Sequence, residues 1–462
     1  MERFDLVTIG SGPAGEKGAA QAAYFGHRVA VVDRTARPGG APVNSGGIPT
    51  KTLREAGLYL TGFGRRDVYG VGLGLGPDVM LERLHARARE VQQHMGEQVR
   101  ANLDRHGIEF VVGEASFTDG GVLVTAASGE QLLLDSKVVL IATGSRPLHP
   151  PGIPFDDPDV HDSDTILELD RIPSSMVVIG AGPVGAEYAS IFTALGVSVT
   201  IVDMAERVAP FLDAEVSDVL KRHMEDEGVV MALGTTASID RVDGKLQVEL
   251  GTGEKLEPEV VLFAAGRVGN TEGLEVSAAG VQCDERGRII VDDEYRTTKD
   301  GVFAAGDVIG PPALASVSAE QGRVAICHAF GIPFKDRIDP APPYGVYSIP
   351  EVGMVGMTEE AAAAAGIDYE VGRTWFADNS RSSIAGTNTG VIKLILERET
   401  RRLIGAHIVG EEATELIHQA QAVIHTGGTI DYFIDTTYNV PTRSEAFKYA
   451  AYDALQRLNP RG

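Results

Sequence analysis

Two stretches of the chain repeat one pattern of apolar and polar positions. Phe4-Asp5-Leu6-Val7-Thr8-Ile9 is a short apolar run that predicts a strand, and Gly10-Ser11-Gly12-Pro13-Ala14-Gly15 is a glycine-rich turn. Glu16 to Phe25 reads as an alanine-rich helix, and Arg28-Val29-Ala30-Val31-Val32 is a second strand closed by Asp33. About 170 residues later the order returns. Met176-Val177-Val178-Ile179 leads into Gly180-Ala181-Gly182-Pro183-Val184-Gly185, a helix runs from Ala186 to about Leu195, and the strand Val197–Val202 ends at Asp203. Strand, GxGxxG, helix, strand and acid within about thirty residues make a dinucleotide-binding unit. Gly10 and Gly180 permit the tight turn, Gly12 and Gly182 let a pyrophosphate approach the backbone, and Gly15 and Gly185 let the helix pack on the strand. Asp33 and Asp203 are placed to accept hydrogen bonds from a ribose. At Asp203 a carboxylate accepts from a ribose 2′-OH and repels a 2′-phosphate, so NADH is expected over NADPH. Arg207 is the nearest cation, and it reads more simply as a surface residue.

Two later segments complete the first unit. Val138 to Ser145 is a strand running into the small-residue turn Thr143-Gly144-Ser145. Gly301 to Asp307 is another strand ending in Gly306-Asp307, just before a helix expected near Ser316. A carboxylate at such a strand end suits a ribityl hydroxyl of FAD. From Tyr344 the pattern changes to antiparallel strands at Tyr369–Phe376, Gly390–Leu396 and Leu403–Val409. Helices are expected at Thr358–Ala365, Ala413–His425 and Ser444–Gln456.

Composition narrows the class. At 462 residues the chain is too long for one core. A formal charge of −24 argues against nucleic acid and anionic membrane as partners. Cys283 and Cys327 are the only cysteines and stand in no CxxC or CxxxxC pattern, which points to a reducing compartment. A strand opens the chain where a signal peptide would stand, and no apolar run is long enough for a bilayer, so a cytoplasmic location is expected. The eleven His form no HxxxH or HxH cluster, and no metal site is expected. His418 and His425, seven apart on one helix, read as packing or surface residues, with a substitute proton donor as the other option.

The stretch Gly39-Gly40-Ala41-Pro42-Val43-Asn44-Ser45-Gly46-Gly47-Ile48-Pro49-Thr50-Lys51 has the frame of a redox loop and no sulfur. With the two glycine units and Gly306-Asp307, it makes the chain resemble the pyridine nucleotide-disulfide oxidoreductases, the flavoprotein family of dihydrolipoamide dehydrogenase. The resemblance spans essentially the full chain. Within the family it is nearest the soluble pyridine nucleotide transhydrogenases, through His161–Leu167, Glu187–Phe192, Gly266–Thr271, Gly306–Gly310 and Thr436–Thr442.

The resemblance implies an α/β protein with two Rossmann-type dinucleotide-binding domains and an α+β C-terminal dimerisation domain. The implied division is FAD-binding at 1–148 and 271–340, NAD-binding at 149–270, and an interface domain at 341–462 in a homodimer. It implies FAD on the first unit, against Gly40, Thr143, Gly144, Gly306 and Asp307, and NAD(H) on the second, with use of NADP(H) left open. Gly266 and Arg267 lie on the segment returning to the FAD domain, where Arg267 contacts the nicotinamide side or braces the joint. Lys51 would lie beside the flavin N5 and pair with Glu187, because an ammonium stabilises charge on the reduced ring and, buried, needs a carboxylate.

Two departures follow from the same comparison. Pro42 and Gly47 stand where the family's disulfide sits, and neither forms a thiolate. Val440 stands where disulfide reductases carry a His before Pro-Thr, leaving Glu445 without that partner; it reads instead as a carboxylate at a helix N-terminus. The expected activity is hydride transfer from NADH to FAD and directly on to a small-molecule acceptor, as in transhydrogenation. Pro42 and Asp203 keep an NADH-dependent quinone or dye reductase as the runner-up, and a non-catalytic flavin sensor stands behind both.

Overall fold

The computed structural model describes residues 2–62 and 77–458. The chain divides into two compact units, Met1–Thr52 with His85–Leu148 and Gly266–Ile338, and Leu53–Leu84 with His149–Ala265 and Asp339–Gly462.

The first unit is built on a sheet in which the strands Glu109–Val112, Val29–Asp33, Glu2–Ile9 and Gln131–Ile141 lie side by side and parallel. Their apolar runs are nearly continuous because both faces are covered. The strand Gln131–Ile141 serves two neighbours on its other edge. Its first residues pair antiparallel with the hairpin strand Gly121–Thr125, and its last pair parallel with Val302–Ala304. That register sets Ala304 beside Ile141, and Ile141 beside Ile9, so three strand ends converge. The helices Pro13–Tyr24 and Ala315–Phe330 cross at small residues, and a Cβ at Gly322 would lie 2.8 Å from the Ala14 carbonyl carbon.

In the second unit, five parallel strands run in the order Val230–Leu233, Ser198–Asp203, Ser175–Ile179, Val260–Phe263 and Val160–Asp162. A five-stranded antiparallel sheet follows, with Val352–Gly356, Leu403–Val409, Val391–Glu397 and Tyr369–Trp375 in spatial order after the edge strand Tyr344–Val346. The helices Ala413–His425 and Ala446–Leu458 cover this sheet around Phe376, Phe433 and Phe447. One core runs from the parallel sheet into Val346, Val352, Val391 and Val409. Among the described residues no helix is long and apolar enough to cross a membrane.

The stretch expected as a loop is largely helical. Gly40–Asn44 forms a short helix, Ser45-Gly46-Gly47 turns the chain, and Ile48–Thr61 is a second helix carrying Lys51 as its fourth residue. Pro49 fits there because the first turn of a helix has no intrahelical use for its N–H groups. The two-unit division falls inside this helix, after Thr52.

Within the second unit, Lys393 is 2% exposed yet charged. Its ammonium lies 2.8 Å from Asp213, 2.6 Å from Glu359 and 3.1 Å from Glu215. Asp213 also caps the helix Ala214–Asp226 by accepting from the Glu215 N–H. Burial alone would raise the Asp213 carboxyl, but the hydrogen bond from Lys393 helps to outweigh it and holds the carboxyl below its ordinary value. A carboxyl depressed in the folded state stabilises fully above its unfolded pKa of about 4, and that contribution is lost as pH falls through the folded value. Lys393→Met strips a buried carboxylate of its cation, at an expected cost of about 3–5 kcal/mol. Thermal unfolding at neutral pH checks this. The share of acid destabilisation that comes from Asp213 should also shrink in the variant.

Candidate dinucleotide sites

The first site forms where the strand Glu2–Ile9 turns into the helix Pro13–Tyr24. Gly10 holds a φ of 102°, and a Cβ there would lie 2.7 Å from the Ala142 carbonyl carbon. At Gly15 a Cβ would overlap the Gly10 carbonyl oxygen. The helix therefore starts tight against the strand. Its N-cap is Gly12, with no side-chain cap, so the first N–H groups point outward as an anion site. Gly40 lies against Gly12, since a Cβ on Gly40 would come 2.7 Å from the Gly12 Cα.

Around this turn the side chains cross-link. Asp33 accepts from the Ser11 N–H at 2.9 Å and hydroxyl at 2.5 Å, and from the Thr35 N–H at 2.9 Å and hydroxyl at 2.8 Å. The Ser11 hydroxyl also accepts from the Gly39 N–H at 3.1 Å. Asp307 follows Gly306, whose φ is 84° and whose N–H donates to Gln321 at 2.9 Å. The Asp307 carboxylate accepts from Ser145 and Ser318, both at 3.2 Å, which leaves acceptor sites open on each oxygen. Arg267 donates to the Ser145 hydroxyl and carbonyl at 2.8 Å, so it braces the turn after Thr143-Gly144. Asn270 donates to the Thr143 carbonyl at 3.1 Å. The Thr143 hydroxyl itself is buried with no hydrogen-bond partner among the described residues.

The sulfur-free stretch is closely packed. A Cβ at Gly47 would lie 2.6 Å from the Pro42 Cα and 2.7 Å from its carbonyl oxygen. Positions 42 and 47 thus face each other across the turn, and no side chain fits at 47 without a shift. Lys51 is half-buried, with its ammonium 3.2 Å from the Thr50 hydroxyl. Cys283 and Cys327 lie elsewhere in the first unit, and burial pushes both thiols above their ordinary values. Neither is a thiolate at neutral pH.

The second site repeats the turn in the second unit. Gly180 has a φ of 116°, and a Cβ there would lie 2.8 Å from Ala264. A Cβ at Gly185 would overlap the Gly180 carbonyl oxygen. Gly182 is the uncapped N-cap of the helix Pro183–Ala194, and the space beside it is open. Asp203 accepts from the Ala181 N–H at 2.5 Å and the Ala205 N–H at 2.7 Å. Arg207 is engaged by Glu360 and the Pro210 carbonyl, each at 3.1 Å. Glu187 is buried on the same helix and accepts from the Tyr347 N–H at 2.8 Å.

In the tail, Glu445 directly precedes the helix Ala446–Leu458, as expected of a carboxylate at a helix N-terminus. It is buried and accepts from Ser380 at 3.2 Å and Asn379 at 3.4 Å. Val440 is 70% exposed. His418 and His425 are exposed on the helix Ala413–His425. Residue-type patterning missed Ser11, Thr35, Ser145, Ser318 and Asn270. The one available signal was a hydroxyl directly after the first glycine and another two residues after the acid.

Residues 4–322 match the pyridine nucleotide-disulphide oxidoreductase family, and residues 342–451 match that family's dimerisation domain. The chain belongs to this family of FAD-dependent pyridine nucleotide oxidoreductases, whose cofactors are FAD and NAD(P)H. A soluble pyridine nucleotide transhydrogenase of Mycobacterium tuberculosis is 42% identical over 99% of this chain and 98% of its own. Another from Colwellia psychrerythraea is 38% identical over 98% of each chain. Among solved structures, LpdA from Mycobacterium tuberculosis superposes with a TM-score of 0.89 at 28% identity, covering 98% of this chain and 99% of that one. The HOCl-induced flavoprotein disulfide reductase RclA from Escherichia coli gives 0.86 at 28% identity, covering 97% and 99%.

The first unit fits FAD by its own geometry. It offers an uncapped helix N-terminus at Gly12, a carboxylate with open acceptor sites at Asp307, and a buried hydroxyl without a partner at Thr143. Gly15→Ala forces a Cβ onto the Gly10 carbonyl, so the variant should purify with well below one FAD per chain. The ratio of visible to ultraviolet absorbance measures this.

Proposed function

We propose that the protein moves hydride between nicotinamide nucleotides through FAD without a dithiol, as a soluble transhydrogenase. The observation that carries the reading is the close packing of Pro42 against Gly47, with no sulfur at either position, in a chain that carries two complete dinucleotide turns. The full-length relatives named as soluble pyridine nucleotide transhydrogenases support it. In this reading residues 1–148 and 271–340 hold FAD, 149–270 hold the nicotinamide nucleotide, and 341–462 join two copies into a cytoplasmic homodimer. Exposed Ile384, Tyr432, Val440 and Tyr449 on the last segment favour such an interface.

Bound FAD supplies the two-electron carrier, and the chain's residues do the rest. The N–H groups after Gly12 and Gly182 hold the pyrophosphates. Gly40, Thr143, Gly144, Gly306 and Asp307 orient the flavin nucleotide, with Gly266 and Arg267 bracing the turn behind them. Lys51 sets an ammonium where negative charge develops, and Glu187 is a buried carboxylate on the helix that follows the second turn. With Val440 in place of a His, the tail holds no proton for a thiol, and direct hydride transfer requires none.

Asp203 gives one observation in favour of a second reading, an NADH-dependent quinone reductase. It presents a carboxylate to the ribose, while Arg207 is engaged by Glu360 and Pro210. NADH should therefore exceed NADPH in kcat/KM by about tenfold or more; a preference for NADPH would contradict this. Lys51→Met should slow anaerobic flavin reduction by NADH at least about tenfold in stopped flow, and an unchanged rate would remove Lys51 from the mechanism.

The reading is tested by reducing the protein anaerobically with NADH and then offering thio-NADP, a quinone and lipoamide in turn. Thio-NADP should be reduced and lipoamide should not. Lipoamide reduction would overturn the dithiol-free reading. Quinone turnover with no thio-NADP turnover would put the second reading in its place.

A further inference from the structure

The two dinucleotide turns repeat each other in sequence, yet their closing acids sit in different surroundings. Asp33 is 9% exposed, and four protein donors fill its carboxylate, two from Ser11 and two from Thr35. A carboxylate offers about four acceptor sites, so none is left for a ligand. Asp203 holds the matching place in the second turn and is more open to solvent. It receives two backbone donors, from Ala181 and Ala205. The residues that supply hydroxyls in the first turn, Ser11 and Thr35, are alanines in the second. About half of the acceptor capacity of Asp203 therefore remains open.

We propose that Asp33, unlike the ribose-facing acid Asp203 of the second turn, is a positioning residue that does not read the adenosine ribose of FAD. The assignment rests on FAD lying at the first turn and the nicotinamide nucleotide at the second. Asp33 acts through Ser11. The Ser11 hydroxyl donates to Asp33 and accepts from the Gly39 N–H, and the next residue, Gly40, lies against Gly12. The carboxylate thereby fixes the spacing between the helix N-terminus at Gly12 and the Gly39-Gly40 segment. Filling the acid with internal donors makes that spacing rigid, because each donor is satisfied inside the protein and has no reason to exchange with water.

The test uses the holoenzyme and cofactor analogues that lack the adenosine 2′-hydroxyl. Bound FAD is exchanged against an excess of FAD containing 2′-deoxyadenosine, and the released flavin is quantified by chromatography. The dissociation constants of NADH and of its 2′-deoxyadenosine analogue are measured alongside. The flavin analogue should compete within about fivefold of FAD, while the NADH analogue should bind at least about fivefold more weakly than NADH. Stronger discrimination against the flavin analogue would overturn the role given to Asp33. An NADH analogue that binds within that range of NADH would overturn the role given to Asp203.

Ser11→Ala tests the bridge itself, since it keeps the Ser11 N–H donor and removes the link to Gly39. FAD should leave this variant at least about threefold faster, with its indifference to the 2′-hydroxyl preserved. An unchanged release rate would overturn the bridge. Protein that purifies with no flavin at all, even in the wild type, would refute the placement of FAD, which is a separate failure.

Discussion

Both cofactor turns depend on one steric constraint, the absence of a Cβ where a helix must start directly against the strand it follows. Gly15 and Gly185 lie so close to the carbonyls of Gly10 and Gly180 that any side chain would overlap them. Gly10 and Gly180 take a left-handed φ that only glycine adopts without strain. The result is a helix whose first N–H groups are neither capped by a side chain nor covered by the strand. In a chain carrying a net charge of −24, these two N-termini hold local positive potential that does not depend on lysine or arginine. In the first unit the parallel strands end side by side at Ile9, Ile141 and Ala304, beneath its turn.

The stretch from Gly39 to Lys51 is closed across its turn, where positions 42 and 47 face each other. The residues placed there, Pro42 and Gly47, pack so closely that a Cβ at 47 would meet the Pro42 backbone. The departure at the tail agrees with this. Val440 cannot carry a proton, and Glu445, which would orient a His, is instead held by Asn379 and Ser380. Positions 42, 47 and 440 thus offer neither a thiol nor a proton donor, while the glycines and acids of both dinucleotide turns are in place.

In the second unit, a buried ion cluster joins the parallel-sheet part to the antiparallel sheet. Lys393 on a strand of that sheet neutralises Asp213, which caps a helix of the dinucleotide fold. A buried charge is tolerated only when paired, so Lys393 and its carboxylates must meet for these two parts to pack. The apolar core passing through Val346, Val352, Val391 and Val409 acts in the same sense.

Sequence alone determined the features that are local in the chain. The two strand–turn–helix–strand units were legible because GxGxxG, the apolar runs and the closing acids all fall within one short segment, where spacing reports geometry. The sulfur-free character of positions 42 and 47 and the apolar residue at 440 were equally plain. Tertiary structure decided whatever depends on partners far away. Gly39–Lys51 carries too many glycines to read as helix, yet packing makes most of it helical. Asp33 and Asp203 are the same residue in the same motif, and only their surroundings differ. The Ser11 hydroxyl, 22 residues from Asp33, fills one acid, while a methyl group stands at the matching place by the other. Lys393 gives no sign in the sequence that it is buried, because its partner Asp213 lies 180 residues away. Hydrogen-bond saturation and burial are properties of the assembled neighbours; the local sequence offers the hydroxyls of Ser11 and Thr35 but does not say what they bind.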